Sequence, residues 1–181
     1  MSPDPVGNPD PVENPGPVEN PDRVLSPDVV DLLERCVLGW LATVDPRGAP
    51  SVSPKEIFVA VPPRRVLVAG IASPRSVRNI TANGAVCFAA VDVFDQRGVQ
   101  LFGTAHVVHP DDPTFEHVAQ PLAALAGPSF VIRQVIDITV HRLRPIIAPS
   151  YWARPELSDR QRRSAALAAY GVQQTDVVQE N

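Results

Sequence analysis

Arg75, Ser76 and Arg78 follow directly on the dipeptide Ser73-Pro74, and this segment contains the residue types best suited to binding an anion. Serine caps helices and proline fits the first helical position, so the dipeptide predicts that a helix begins here. Backbone N–H groups at the beginning of a helix have no partner within the helix and attract anions. Two guanidinium groups and a hydroxyl beside them would complete a phosphate-binding site. On these residues alone, a helix that merely exposes two arginines to solvent is the alternative.

Lys55 is conspicuous because it is the only lysine among the 16 basic residues of the chain. By residue type alone, an ordinary exposed lysine at a strand end is the simplest interpretation. Histidines and cysteines indicate no catalyst or metal site, because their spacing matches neither a metal-binding motif nor a nucleophile motif. We expect both cysteines to be buried, reduced thiols. The residues concerned are His106, His109, His117, His141, Cys36 and Cys87.

The rest of the chain must position these residues, and its periodicity is mainly that of β-strands. Leu38–Val44 and Ala49–Ala60 are joined by a turn that ends in glycine, which predicts a hairpin. Six strands with few helices between them predict a mainly β fold, namely a closed or nearly closed antiparallel barrel. The six predicted strands are Leu38–Val44, Ala49–Ala60, Arg65–Ile71, Ala85–Val93, Gly98–His109 and Val131–Ile147.

Helices are predicted at the periphery of this barrel. Serine-proline or acidic residues begin them, and glycine follows several of their ends. The last helix carries three arginines, Arg160, Arg162 and Arg163, which we expect on a solvated face. The predicted helices are Ser26–Cys36, Ser73–Asn83, Asp112–Leu125 and Glu156–Tyr170.

The N-terminal segment differs from the rest in composition. Proline makes up 21 of the 181 residues, and eight of these prolines lie within the first 27 residues, seven of them in repeats six residues long. Regularly spaced prolines exclude a helix, and one valine per repeat offers no apolar face, so we expect an extended, mobile tail. The chain therefore divides into a tail (1–25), a barrel (26–150) and a C-terminal helix with its own tail (151–181).

Charge and hydropathy exclude several classes of partner. Residues 35–181 carry 15 basic and 12 acidic residues, which is too small an excess for a nucleic-acid-binding surface. No apolar run approaches the roughly 20 residues of a membrane span, and the acidic, proline-rich N-terminal segment is unlike a secretory signal. We therefore expect a cytoplasmic protein that binds neither nucleic acid nor membranes.

Four motifs, taken in order, resemble the FMN-binding split barrels of the pyridoxamine 5'-phosphate oxidase type. Segment 41–50 resembles the first hairpin of that family, and segment 51–55 is similar to the strand that lies against the flavin ring. Segment 73–79, with Asn83, resembles the phosphate-binding segment. Segment 100–105 resembles the strand whose glutamine hydrogen-bonds the isoalloxazine. The resemblance extends over roughly residues 28–147.

The resemblance implies a six-stranded antiparallel split barrel that binds FMN as a homodimer, with each flavin held between two subunits. It implies phosphate contacts from the arginines and serine of segment 75–78 and a ring contact from Gln100. Ala69 and Gly70 are small where a cofactor would pass close to the backbone. The expected cofactor-binding residues are Ser51, Val52, Ser53, Pro54, Lys55, Ala69, Gly70, Arg75, Ser76, Arg78 and Gln100.

The activity that the resemblance implies is FMN-dependent oxidation or reduction of an unidentified small molecule, with NAD(P)H as a candidate reductant. The arginine-x-histidine signature of the true oxidase is missing, and Ser76 stands where that enzyme has lysine. We therefore do not expect oxidation of pyridoxamine phosphate. A non-catalytic flavin carrier, a heme-binding or heme-degrading split barrel, and a barrel that binds FAD or a deazaflavin remain alternatives.

Deleting residues 1–22 is expected to leave folding, dimerisation and cofactor binding intact. The repeats bury too little apolar surface to offset the roughly 1–2 kcal/mol of backbone entropy that each ordered residue loses. Thermal unfolding and size-exclusion chromatography of the full and shortened chains test this expectation. A thermal midpoint lowered by several degrees, or loss of a dimer, would show that the tail belongs to the fold.

Overall fold

The computed structural model describes residues 24–172. Nearly all of the predicted N-terminal tail, and residues 173–181, lie outside the described residues. In chain order, the elements are α1 (Pro27–Arg35), β1 (Gly39–Val44), β2 (Pro50–Lys55), β3 (Phe58–Val61), β4 (Arg65–Ala69), α2 (Pro74–Ala82), β5 (Ala85–Asp92), β6 (Arg97–Val108), α3 (Phe115–Ala126), β7 (Val135–Ile147), α4 (Ser150–Ala153) and α5 (Asp159–Ala169).

The strands of the described region form one sheet in which every neighbouring pair is antiparallel, in the order β2-β1-β5-β6-β7-β4-β3. The predicted mainly β, antiparallel architecture with peripheral helices is confirmed. Between residues 24 and 172, no helix is long and apolar enough to span a membrane.

The sheet has seven strands rather than six because the segment predicted as one strand, Ala49–Ala60, is divided at Glu56 and Ile57. β2 pairs with β1 at one edge of the sheet, whereas β3 pairs with β4 at the opposite edge. Lys55 and Phe58 flank the division, and no glycine or asparagine that would signal a turn stands between them. The division follows from which partner strand each half meets.

This short connection forces the sheet to curl. Seven flat strands would separate β2 from β3 by six strand spacings, or about 29 Å at about 4.8 Å each. From Lys55 to Phe58 the chain can span at most about 11 Å. The two edges must therefore approach each other, and the sheet closes into a split barrel.

Apolar side chains fill both faces of part of this sheet. Leu41, Phe88, Leu101 and Ile138 are fully buried inside the barrel, where Leu33 of α1 joins them. A second cluster, formed by Leu67, Val108, Leu122 and Val135, lies between α3 and strands β4, β6 and β7. These two clusters fix the barrel on which the candidate site is built.

The C-terminal helix corrects one expectation about its arginines. Arg162 is buried instead of lying on a solvated face. Its guanidinium donates to the backbone oxygens of Ser150, Arg154 and Leu157 and stacks on the ring of Tyr151. The positive charge therefore joins α4 to α5, which a pattern read along one helix does not show.

Candidate functional site

Helix α2 begins where the sequence predicts, with Ser73 before it and Pro74 in its first turn. The Ser73 hydroxyl makes no capping bond to the helix. It lies 2.8 Å from the Nζ atom of Lys55, at the end of β2. The expected cap residue thus connects the helix to the neighbouring strand.

Four side chains form a connected group between β2 and α2, which we name the serine–lysine cluster: Ser53, Lys55, Ser73 and Ser76. Lys55 Nζ donates to Ser53 Oγ at 2.7 Å, to Ser73 Oγ at 2.8 Å and to the backbone oxygen of Pro54 at 3.1 Å. Ser53 Oγ lies 3.0 Å from Ser76 Oγ. Two predicted parts of the site, the strand and the phosphate segment, therefore meet here.

Lys55 is not an exposed lysine at a strand end, because only 6% of its surface is accessible. Its hydrogen-bond partners are hydroxyl and carbonyl oxygens, and no ion pair joins it to a carboxylate within residues 24–172. Burial lowers the pKa of this amine below its ordinary value. The site therefore contains a desolvated amine whose hydrogen-bond partners are neutral.

Two arginines lie on the other side of the N-terminus of α2. Arg75 and Arg78 are exposed and face a cavity of about 510 Å³. Arg47, Ser51 and Asn79 also line this space, which we name the arginine cavity. Within residues 24–172, neither guanidinium group, of Arg75 or of Arg78, makes a hydrogen bond or an ion pair. Both groups are therefore available to an anion.

Arg47 is a residue of this cavity that the sequence analysis missed. It lies in the turn between β1 and β2 and pairs with Asp45 across 3.5 Å. Most turns carry polar residues, so an arginine in a turn gives no signal of its own. Only the fold shows that this turn reaches the beginning of α2.

The orientation of α2 is held by a buried hydrogen bond. Asn79 Nδ2 donates to Thr43 Oγ1 of β1 at 3.0 Å, and both side chains are buried. Asn79 lies one position after Arg78 on the same helix and also borders the arginine cavity. This bond therefore fixes the direction in which the first turn of α2 presents its arginines.

A second cavity, of about 430 Å³, lies at the Lys55 end of β2. Lys55 and Ser73 supply polar groups to it, and most of the remaining lining is apolar. We name this space the lysine cavity. Its other lining residues are Pro54, Glu56, Ile57, Ala69, Ile71, Ala72, Leu125, Ala126 and Phe130.

The two small residues expected near a cofactor have different surroundings. Ala69 lines the lysine cavity. Gly70 lies against Gln134, because a Cβ atom at Gly70 would come within 2.5 Å of Gln134 Cγ. The close approach of the segment around Gln134 is sufficient to explain why this residue is glycine.

Gln100 lies apart from the other candidate residues. Strand register places Gln100 opposite Ala89, Ala89 opposite Trp40, and Trp40 opposite Pro54, so all four share the outer face of the sheet. Three strand spacings separate Gln100 from Pro54, or about 14 Å along the sheet. Ser53 and Lys55 alternate with Pro54 and point to the opposite side. One chain therefore does not bring Gln100 together with the cluster.

The stability contributed by Lys55 is expected to depend on pH. Because the pKa of Lys55 is lowered from 10.5 in the folded chain, the unfolded chain binds more protons between that lowered pKa and 10.5. The free energy of unfolding should therefore rise with pH across this window, relative to a Lys55→Met variant. Urea unfolding of both proteins from neutral pH up to 10.5 measures the difference. A difference that stays constant over this range would contradict the buried, desolvated state of Lys55.

Comparison with known proteins adds an independent line of evidence. A candidate pyridoxamine 5'-phosphate oxidase from Lactobacillus delbrueckii is 25% identical, with a TM-score of 0.58, over 70% of this chain and 97% of its own. HupZ from Group A Streptococcus is 23% identical, with a TM-score of 0.57, over 66% of this chain and 91% of its own. An FMN-binding protein from Syntrophomonas wolfei is 11% identical, with a TM-score of 0.57, over 66% and 84%. The last two similarities show the fold alone.

No curated protein matches this sequence. The family model described as pyridoxamine 5'-phosphate oxidase matches residues 25–146, which is more than half of the chain. That range contains every expected cofactor-binding residue, both cavities at α2 and the whole sheet except the last residue of β7. The chain therefore belongs to the pyridoxamine 5'-phosphate oxidase family of split barrels.

Proposed function

We propose that this protein binds FMN and uses it to oxidise or reduce a small organic molecule. The observation that carries the proposal is the pair of exposed guanidinium groups, Arg75 and Arg78, that face the arginine cavity without a protein partner in the described region. Family membership supports a flavin as the cofactor. FMN suits the cavity because its phosphate carries the negative charge that two arginines attract.

The phosphate end of FMN fits the chemistry of this cavity. Arg75 and Arg78 provide planar, charged donors that can engage phosphate oxygens in pairs. Pro74 has no backbone N–H, so the free N–H groups of the first turn come from the residues that follow it. Arg47 lines the cavity from the β1–β2 turn, where its guanidinium pairs with Asp45 of the same lining and keeps further N–H donors for a phosphate. The phosphate is thus held by groups from α2 and from the β1–β2 turn.

The remaining expected contacts divide between the two faces of β2. Val52 and Pro54 are exposed on the outer face and offer an apolar surface to the flavin ring. Ser51 borders the arginine cavity. Lys55 and Ser76 already bond to other members of the serine–lysine cluster, so they affect the phosphate indirectly. When bound, FMN supplies the redox chemistry, and these residues bind and orient it.

A second copy of the chain offers a way to bring Gln100 to the ring. Along one chain it lies about 14 Å from β2, measured across the sheet. The outer face between them exposes apolar side chains, with Trp40 46% and Val52 59% accessible. A homodimer that covers this face would bring the Gln100 of one subunit to the β2 strand of the other. We therefore propose that two equivalent sites form at a dimer interface.

The heme alternative finds no support in the geometry. None of the four histidines lines the arginine cavity or the lysine cavity. A heme iron needs an axial ligand within bonding distance, and the residues around α2 offer hydroxyls and cations instead.

The choice among FMN, FAD and a deazaflavin depends on the space beyond the phosphate, and titration with each cofactor decides it.

The double variant Arg75→Ala/Arg78→Ala is expected to bind FMN at least about tenfold more weakly than the wild type, because charge-assisted contacts contribute roughly 1.5–3 kcal/mol each. Quenching of flavin fluorescence measures the affinity. The control variant Arg154→Ala/Arg160→Ala removes the same charge from the exposed C-terminal region and should bind normally. Equal affinity in all three proteins would show that the arginine cavity does not hold the phosphate.

Trp40→Asp is expected to break the dimer and abolish retention of FMN, because a charge on the outer face opposes burial against a second copy. Light scattering after size exclusion should give twice 19.5 kDa for the wild type and 19.5 kDa for the variant. Val131→Asp introduces the same charge at a residue that is 74% accessible outside this face and should remain dimeric. A monomeric wild type would refute the shared site.

A further inference from the structure

The proposed cofactor site leaves the serine–lysine cluster unexplained. Lys55 and Ser73 line the lysine cavity, whereas Arg75 and Arg78 line the arginine cavity on the other side of the α2 beginning. The cluster buries an amine beside a partly accessible serine hydroxyl. A base beside a serine hydroxyl can activate that serine as a nucleophile, and this chemistry does not need a flavin.

We propose that Ser73 is a nucleophile for small, neutral carboxylic esters, with Lys55 as its general base. A serine is activated when a base lies within hydrogen-bonding distance and a third group orients that base. The 2.8 Å separation between Ser73 Oγ and Lys55 Nζ meets the first condition. Ser53 Oγ, at 2.7 Å, and the Pro54 oxygen, at 3.1 Å, meet the second.

The surroundings of Lys55 accommodate both forms of the amine. As an ammonium it donates to all three oxygens around Nζ, and as a neutral amine it keeps two hydrogens and one lone pair. The Pro54 carbonyl can only accept, so it takes one hydrogen, and Ser53 takes the other. The lone pair then faces the Ser73 hydroxyl. Burial lowers the pKa of Lys55, which favours this state.

Ser73 is placed as a nucleophile would need to be. It precedes α2, yet its hydroxyl makes no capping bond and is directed to Lys55. The ammonium that forms on Lys55 lies 2.8 Å from Ser73 Oγ and provides a positive charge beside the negative oxygen that develops when a carbonyl is attacked.

The reaction balances with water as the only co-reactant. The Ser73 oxygen bonds to the ester carbonyl carbon as its proton passes to Lys55 Nζ. The bond from that carbon to the alcohol oxygen then breaks, and the ammonium returns the proton to the departing alcohol. Water attacks the acylated serine, Lys55 takes and returns its proton, and the carboxylic acid leaves with Ser73 restored.

The lysine cavity determines the class of ester. Its volume of about 430 Å³ accommodates a small molecule, and Ile57, Ile71, Leu125 and Phe130 give it apolar walls. Glu56 also borders the cavity and opposes anionic substrates. We therefore infer uncharged esters with short apolar acyl chains as substrates.

Labelling with an alkyl fluorophosphonate tests the nucleophile directly. Trypsin cleavage after Arg65 and Arg75 releases peptide 66–75, in which Ser73 is the only residue with a hydroxyl group. The phosphonate mass should appear on this peptide in the full wild-type chain and be absent in Ser73→Ala. Ser164→Ala, a control at an exposed serine of α5, should label normally. Wild type and Ser164→Ala should likewise hydrolyse p-nitrophenyl butyrate, whereas Ser73→Ala should not.

The Lys55→Arg variant distinguishes a role of Lys55 as a base from a role as a positive charge. Arginine keeps the charge but does not give up its proton, so labelling should slow by about 100-fold or more. Thermal unfolding establishes that each variant is folded, and Lys55→Met provides a second replacement that cannot act as a base. Absence of the adduct from folded wild type, an adduct on another peptide, or unchanged labelling in both folded Lys55 variants would overturn the proposal.

Discussion

The connection of two residues, Glu56 and Ile57, between opposite edges of the sheet is the constraint on which the rest of the structure depends. It forces the sheet to curl, because the chain cannot span the width of seven flat strands. It also ends β2 at Lys55, where the strand meets the beginning of α2. The closing of the barrel and the burial of the amine therefore have one cause.

Burial divides the positive charges around α2 into two chemical types. Arg75 and Arg78 remain in contact with water and keep their charge, so they can attract a phosphate from solution. Lys55 is desolvated, and its partners are neutral oxygens. Because desolvation favours the neutral form of an amine, this residue is suited to hold or accept a proton. The N-terminus of α2 thus separates a candidate anion site from a candidate base.

Local signals predict local structure well in this chain. Ser73-Pro74 predicted where α2 begins, and the turn that ends in Gly48 predicted the first hairpin, because capping and turn geometry depend on neighbouring residues. The division of the strand at Glu56 was missed because it depends on the order of the whole sheet: β5, β6 and β7, which come later in the chain, separate β1 near one edge from β4 near the other. The burial of Arg162 was missed because its backbone partners lie outside α5.

The candidate site shows the same limit. The residue types of segment 75–78 predicted an anion site, and the structure places its arginines on a cavity. The burial of Lys55 and the contribution of Arg47 follow from the curl of the sheet, which local patterns do not encode. The separation of Gln100 from β2 follows from strand order. These features could be found only when the strands were placed beside one another.

Retention of FMN by this barrel is the property on which both the proposed redox function and the shared dimer site depend. It is measured by the absorption spectrum of the full chain after incubation with FMN and removal of free flavin by gel filtration. We expect the protein fraction to carry an equimolar amount of flavin, with bands shifted from those of free FMN. Complete separation of flavin from protein, or a Soret band in the purified chain, would refute FMN as the cofactor.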